Sequence, residues 1–120
     1  MDFGINVAPL DATTYVVEPH GVTDLASAPT FKAALDAVTI APARCVVVDV
    51  DDLTFIDSTA IGVLLSTQRK LQAHDGKMIV VCNDPLIRRI FDITGLIDVL
   101  NVRPSRQEAL AVVQELAAAR

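Results

Sequence analysis

The sequence has 120 residues, which is the length of one domain (residues 1–120) and enough to bury a core without disulfides or metal. Its net charge of −5 argues against nucleic acid or an anionic membrane as the main partner, because both require a basic face. No apolar run approaches the ~20 residues of a membrane span, and residues 1–10 lack the basic start of a secretory signal. The expected location is therefore the cytoplasm.

The first predicted strand covers residues 2–7, where polar and apolar side chains alternate, and ends at Pro9. Residues 13–18 are rich in β-branched side chains and predict a second strand, joined to the first as a hairpin. The segment 19–21, Pro-His-Gly, is expected to end that strand. A helix should follow and close at Pro42. Its apolar stripe has spacings of three and four and consists of Leu25, Ala28, Phe31, Leu35 and Val38.

The apolar run at residues 45–50 predicts a central strand buried on both faces, and residues 51–56 are expected to lead away from it. A helix is predicted from Ser58 to about His74, with Gly76 as its C′ residue. Its inward side chains are Ile61, Leu64, Leu65 and Leu71. Residues 77–82 predict the next buried strand.

Asp84 and Pro85 are typical of a helix start, with Asp as N-cap and Pro at the first helical position. The expected inner face of this helix, which should end at Gly95, consists of Leu86, Ile87, Ile90 and Phe91. A last strand over 98–102 and a final helix opened by a capping box at 105–108 complete the chain. The order β-β-α-β-α-β-α-β-α predicts an α/β fold with a mixed, mostly parallel sheet covered by helices.

The residues that usually carry catalysis or bind metals are scattered. Ser58 lacks the flanking glycines of a nucleophile elbow, and the histidines, His20 and His74, are far apart. The two cysteines, Cys45 and Cys82, should lie roughly 15 Å apart on neighbouring strands, too far for a disulfide. We read both as buried thiols. No metal-ligand spacing or phosphate-binding glycine loop occurs, so neither enzyme activity nor a cofactor is expected.

The segment Asp57-Ser58-Thr59 follows a buried strand and opens a helix. Functional sites in open α/β sheets form at the carboxyl ends of strands, which favours a site here. The same residue types also cap helices, and local pattern alone leaves both interpretations open.

Residues Val46 to Leu65, VVVDVDDLTFIDSTAIGVLL, resemble the STAS domain, in particular the bacterial anti-sigma factor antagonists. The order Asp-Ser-Thr-Ala-Ile-Gly at 57–62 matches their signature. Residues 21–29, GVTDLASAP, are similar to a family turn, and residues 90–96, IFDITGL, are similar to a later family segment. These three matches occur in the family's order, and the predicted succession of elements is also the family's own.

The resemblance implies that the unmodified protein binds an anti-sigma factor that is also a serine kinase of the histidine-kinase-like ATPase fold, and so frees a sigma factor. Phosphorylation of Ser58 would end that binding, and a metal-dependent serine phosphatase would restore it. Weak nucleotide binding is a further expectation. The partner-binding residues implied are Thr23, Asp24, Asp57, Thr59, Ile61 and Gly62.

One position departs from the family pattern: Val22 stands where the family turn carries an acidic residue, which could change partner choice. STAS domains also serve as subunits of transport assemblies, and that alternative remains open. The intact Asp-Ser-Thr motif favours the sigma-factor pathway. A third hypothesis is that the protein is an enzyme, such as a serine hydrolase or a nucleotide-binding phosphotransferase.

Overall fold

A mixed sheet of six strands lies at the centre of the computed structural model, which describes residues 3–40 and 45–118. The strands are β1 Phe3–Pro9, β2 Thr14–Thr23, β3 Cys45–Asp49, β4 Leu53–Ile56, β5 Lys77–Val81 and β6 Val102–Arg103. The helices are α1 Ala28–Ile40, α2 Ser58–Gln72, α3 Pro85–Ile93 and α4 Arg106–Ala118. None of these helices is long and apolar enough to cross a membrane.

The sheet order is β1-β2-β3-β5-β6, and β4 pairs with the second half of β2. Only β1 is antiparallel to its neighbour among the described strands, as the predicted hairpin requires. The predicted α/β class with a mostly parallel sheet is therefore confirmed.

Helices cover both faces of the sheet. Side chains of α1, α2 and α3, among them Phe31, Leu64 and Phe91, form one buried cluster with Val46 and Val48 on one face. On the other face α4 packs Ala109 and Val113 against Val16, Cys45, Val47, Ile79 and Val81. The central strands are thus buried on both sides, which explains their continuous apolar sequence. Both cysteines are buried and are not joined by a disulfide.

The prediction that Pro19-His20-Gly21 ends the second strand is wrong, because β2 continues to Thr23. Residues 14–17 of β2 pair with β3, and residues 21–23 pair with β4. Pro19 lies where β2 changes neighbours, so its missing N–H interrupts no ladder on that side. Strand β4 lies within a segment expected to lead away from β3, and it pairs with the end of β2.

Three further sequence predictions differ from the structure. Leu25 and Leu86 were expected to face the core, yet Leu25 precedes α1 and both side chains are exposed. Strand β6 has two residues, because residues 98–101 form a turn. Asp75, with φ 59°, takes the left-handed position expected for Gly76 at the end of α2. The predicted helix end at Pro42 and the strand start at Asp2 lie outside the described residues.

Candidate functional site

The carboxyl ends of β2 and β4 bring the predicted site residues together. Thr23 and Ile56 are partners in the parallel register of these two strands. An aspartate follows the last residue of each strand: Asp24 follows β2, and Asp57 follows β4. Because neighbouring strands lie about 4.8 Å apart, both aspartates occupy the same short stretch of the sheet edge. We call this stretch, residues 21–27 and 51–59, the carboxyl edge.

Asp57 caps the N-terminus of α2, as the sequence predicts. It has extended backbone geometry, and its Oδ1 accepts a 3.0 Å hydrogen bond from the N–H of Ala60. Its carbonyl oxygen accepts the N–H of Ile61 at 3.1 Å. Both bonds satisfy donors that a helix start otherwise leaves without partners, and they fix the direction in which α2 begins.

Ser58 is the first residue of α2, and its side chain is exposed. Its hydroxyl makes no hydrogen bond to any described residue, whereas the neighbouring Asp57 carboxyl is engaged in capping. The sequence left open whether this segment caps a helix or forms a functional site. In the structure Asp57 caps the helix, and the Ser58 hydroxyl is exposed at the positive end of the helix dipole.

The turn after β2 is held by reciprocal hydrogen bonds. The N–H of Ser27 donates to Asp24 Oδ1 at 3.0 Å, and Ser27 Oγ accepts the N–H of Asp24 at 2.9 Å. Ser27 Oγ also donates to the carbonyl oxygen of Val22 at 3.0 Å. The hydrogen bond from the Ser27 backbone lowers the pKa of Asp24, so this exposed carboxylate is negatively charged at neutral pH.

The other predicted partner-binding residues lie at the same edge but differ in exposure. Thr23 is fully buried, and its hydroxyl donates to the carbonyl oxygen of Phe55 at 2.9 Å. Ile61 is buried in the core beneath the first turn of α2. Thr59 is half-buried, and Gly62 is exposed with no atom within 4 Å of where a side chain would begin. Gly62 therefore leaves the helix backbone open to close approach.

Additional acidic residues border the edge where β3 ends. Asp51 Oδ1 accepts the N–H of Asn83 at 2.6 Å, which ties the β3–β4 turn to the start of α3. Burial raises the pKa of Asp51, and the nearby Asp49 adds to the effect. Asp84 caps α3 by accepting the N–H of Leu86 at 2.9 Å.

Among the described residues, no histidine is hydrogen-bonded to Ser58. The His20 ring lies against Gly4 of β1, and His74 follows the far end of α2, about 24 Å away at 1.5 Å per residue. Within residues 3–40 and 45–118, no group of three or more His, Cys, Asp or Glu side chains is arranged to hold a metal ion.

Two exposed apolar residues at the carboxyl edge were not predicted from the sequence as part of the site. Leu25 lies in the turn between β2 and α1, and Phe55 lies in β4. Leu25 matched the spacing of the α1 stripe, and Phe55 lay in a segment with no predicted strand. The Asp24-Leu25-Ala26-Ser27 order, in which Asp and Ser bond each other across two residues, was the available signal that Leu25 belongs to a turn.

Residues 7–109 match the family model of the STAS domain. The anti-sigma-B factor antagonist of Listeria monocytogenes serovar 1/2a is 23% identical over 103 residues, which cover 86% of this chain and 90% of the relative. The residues matched by the family model include the whole carboxyl edge.

Solved structures show the same fold. An anti-sigma factor antagonist from Mycobacterium paratuberculosis has a TM-score of 0.86 and 28% identity, covering 94% of this chain and 95% of that chain. The Bacillus cell fate determinant SpoIIAA in its phosphorylated form has a TM-score of 0.73 and 21% identity, and the match covers 92% of this chain and 99% of that chain. With a family model that matches most of its length, the chain belongs to the STAS domain family.

Proposed function

We propose that this protein is an anti-sigma factor antagonist, and that Ser58 is the residue through which its binding is switched. One observation carries the proposal: the exposed hydroxyl of Ser58 at the first position of α2, which follows Asp57 at the carboxyl edge and has no hydrogen bond to a described residue. The names of the Listeria and Mycobacterium relatives support the choice of an anti-sigma factor as partner.

In the unmodified state, the partner covers the carboxyl edge. Gly62 admits its backbone, and Ser58 and Thr59 supply polar contacts. Thr23 and Ile61 are buried, so their role is to hold the edge in shape from below. The partner is an anti-sigma factor with serine kinase activity.

Phosphorylation of Ser58 adds a charge of about −1.5 to −2 at pH 7. The N-terminus of a helix tolerates such a group, and we expect the fold to change little. The effect is on binding. A partner that covers Ser58 would have to desolvate a dianion beside Asp24 and Asp57, and burying an unpaired charge is costly. A serine phosphatase would return the protein to its binding state.

Binding and phosphate transfer can be measured with the ATPase-fold anti-sigma factors of the same genome. Incubation with ATP followed by mass spectrometry should give one phosphate, located on Ser58. Ser58→Ala should bind the anti-sigma factor with or without ATP, and Ser58→Glu should bind more than about tenfold more weakly. Ser66→Ala, a serine change on the same helix away from its N-terminus, is the matched control and should behave as wild type.

Phosphate on Thr59, or tight binding by Ser58→Glu, would contradict the assignment of the switch to Ser58. Failure of the wild-type protein to bind any of these anti-sigma factors would contradict the proposed function itself.

A further inference from the structure

Three apolar side chains lie next to the Ser58 switch without being part of the core. Leu25 is 77% exposed and Phe55 is 50% exposed, and Val22 is half-buried. Val22 and Phe55 are register partners on β2 and β4, and Leu25 follows β2 by two residues. We call these three residues the apolar patch. Only two residues separate Phe55 from Ser58, so the patch borders the switch.

The topology explains why Val22 and Phe55 are uncovered. Gly21 pairs with Leu53 and Val22 pairs with Phe55, so Thr54 is an extra residue in β4, as in a β-bulge. Because the extra residue lies in β4, the side chains along β2 still alternate between the two faces of the sheet. Val22 therefore shares a face with Val16, which is the face that α4 covers. Helix α4 packs mainly on β3, β5 and β6 and reaches β2 at Val16, and within the described residues no helix packs extensively on β4.

The two segments that carry the patch are acidic. Residues 21–27 and 50–59 contain four aspartates and no lysine or arginine, namely Asp24, Asp51, Asp52 and Asp57. The exposed apolar side chains of α3, Leu86 and Ile93, differ in this respect because Arg88 and Arg89 lie between them. The two surfaces therefore suit partners of different charge.

We infer that the apolar patch of Val22, Leu25 and Phe55 anchors the anti-sigma factor, through an apolar surface of that partner ringed by lysine and arginine. This inference rests on the proposed function and names the chemistry of its partner. A few buried apolar residues supply most of the affinity of an interface, and complementary charge around them sets specificity and association rate. A second copy of this chain is a poor occupant, because its own acidic rim would meet the same rim.

Leu25 offers a matched test, because Leu86 is the same residue type with 76% exposure on α3. Leu25→Ser and Phe55→Ser should each weaken binding to the ATPase-fold anti-sigma factor by about tenfold or more. Leu86→Ser should change it less than about twofold. Val22→Ser, which removes the apolar side chain beside Phe55, should weaken binding in the same direction. Raising the salt concentration should slow association of the wild type. Circular dichroism of each variant checks that the fold is retained.

The outcomes separate the two proposals. Wild-type binding that is lost in Ser58→Glu but unchanged in Leu25→Ser and Phe55→Ser keeps the proposed function and overturns this inference. If binding is instead lost in Leu86→Ser, the anchor lies on α3 and this inference is wrong. If sedimentation reveals a wild-type dimer that Leu25→Ser dissociates, a second copy occupies the patch and the inference is wrong. If the wild type binds no anti-sigma factor, both proposals fail together.

Discussion

The hydroxyl of Thr23 donates a 2.9 Å hydrogen bond to the carbonyl oxygen of Phe55, from the last residue of β2 to the strand beside it. Thr23 is fully buried, so this bond is shielded from water. It fixes the end of β2 against the end of β4, and thereby the position of Asp24 relative to Asp57 and Ser58. A buried threonine thus determines the geometry of an exposed edge.

Replacing Thr23 with valine should destabilise the protein by about 1–2 kcal/mol, because the carbonyl oxygen of Phe55 loses its donor in a partly buried site. Urea denaturation monitored by circular dichroism measures this loss. Thr54→Val is the matched control: its hydroxyl donates across the same two strands, to Gly21, but is exposed. If Thr54→Val costs as much as Thr23→Val, burial of the bond is not what matters.

Asp57→Ala should destabilise the protein by about 0.5–2 kcal/mol, because the N–H of Ala60 loses its capping acceptor. Asp57→Asn keeps a side-chain oxygen in the same position and should cost only a few tenths of a kcal/mol. Chemical denaturation of both variants gives the comparison. Equal losses for Ala and Asn would mean that the charge of Asp57, rather than its capping bond, stabilises the start of α2.

Gly4 and His20 should show a strong mutational coupling. A side-chain carbon at position 4 would clash with Cε1 of the His20 ring, so the ring must move if a side chain is added there. His20 is exposed and can rotate away, and we expect Gly4→Ala to cost about 1 kcal/mol, the lower end for an overpacked contact. In a His20→Ala background the same change should cost almost nothing. A double-mutant cycle from thermal denaturation measures the coupling, and additive effects would contradict the contact.

Asp36 should contribute to acid sensitivity. It accepts 2.6 Å hydrogen bonds from Lys32 of α1 and Lys70 of α2, and these bonds lower its pKa below the ordinary 3.8. The stability gained is therefore present above pH 3.8 and is lost as the pH falls through the lower pKa of the folded state. Because both lysines are exposed, screening by water and salt keeps this contribution small.

The measurement is the free energy of unfolding from neutral to acidic pH at low salt. Asp36→Asn should be less stable than wild type at neutral pH, and the difference should shrink in acid. Lys70→Gln removes the link to α2 alone and should show part of the effect. A difference between wild type and Asp36→Asn that stays constant over the whole range would contradict this account.

Local features of the sequence determined most of the secondary structure. Continuous apolar runs predicted β3 and β5, because strands buried on both faces need no polar alternation. Asp57 and Asp84 predicted the starts of α2 and α3, because capping uses only the first turn of a helix. The DSTAIG motif at 57–62 also directed attention to Ser58.

Only the tertiary structure decided which residues meet at the carboxyl edge. The continuation of β2 through Pro19 depends on its pairing with β1 and β4, and β4 in turn pairs with the end of β2. Leu25 matches the helical spacing of α1, yet the turn formed by Asp24 and Ser27 leaves it exposed. Strand pairing and burial are long-range properties. A local pattern can therefore predict that Ser58 opens a helix, but not that Thr23 positions the edge or that Val22, Leu25 and Phe55 border it.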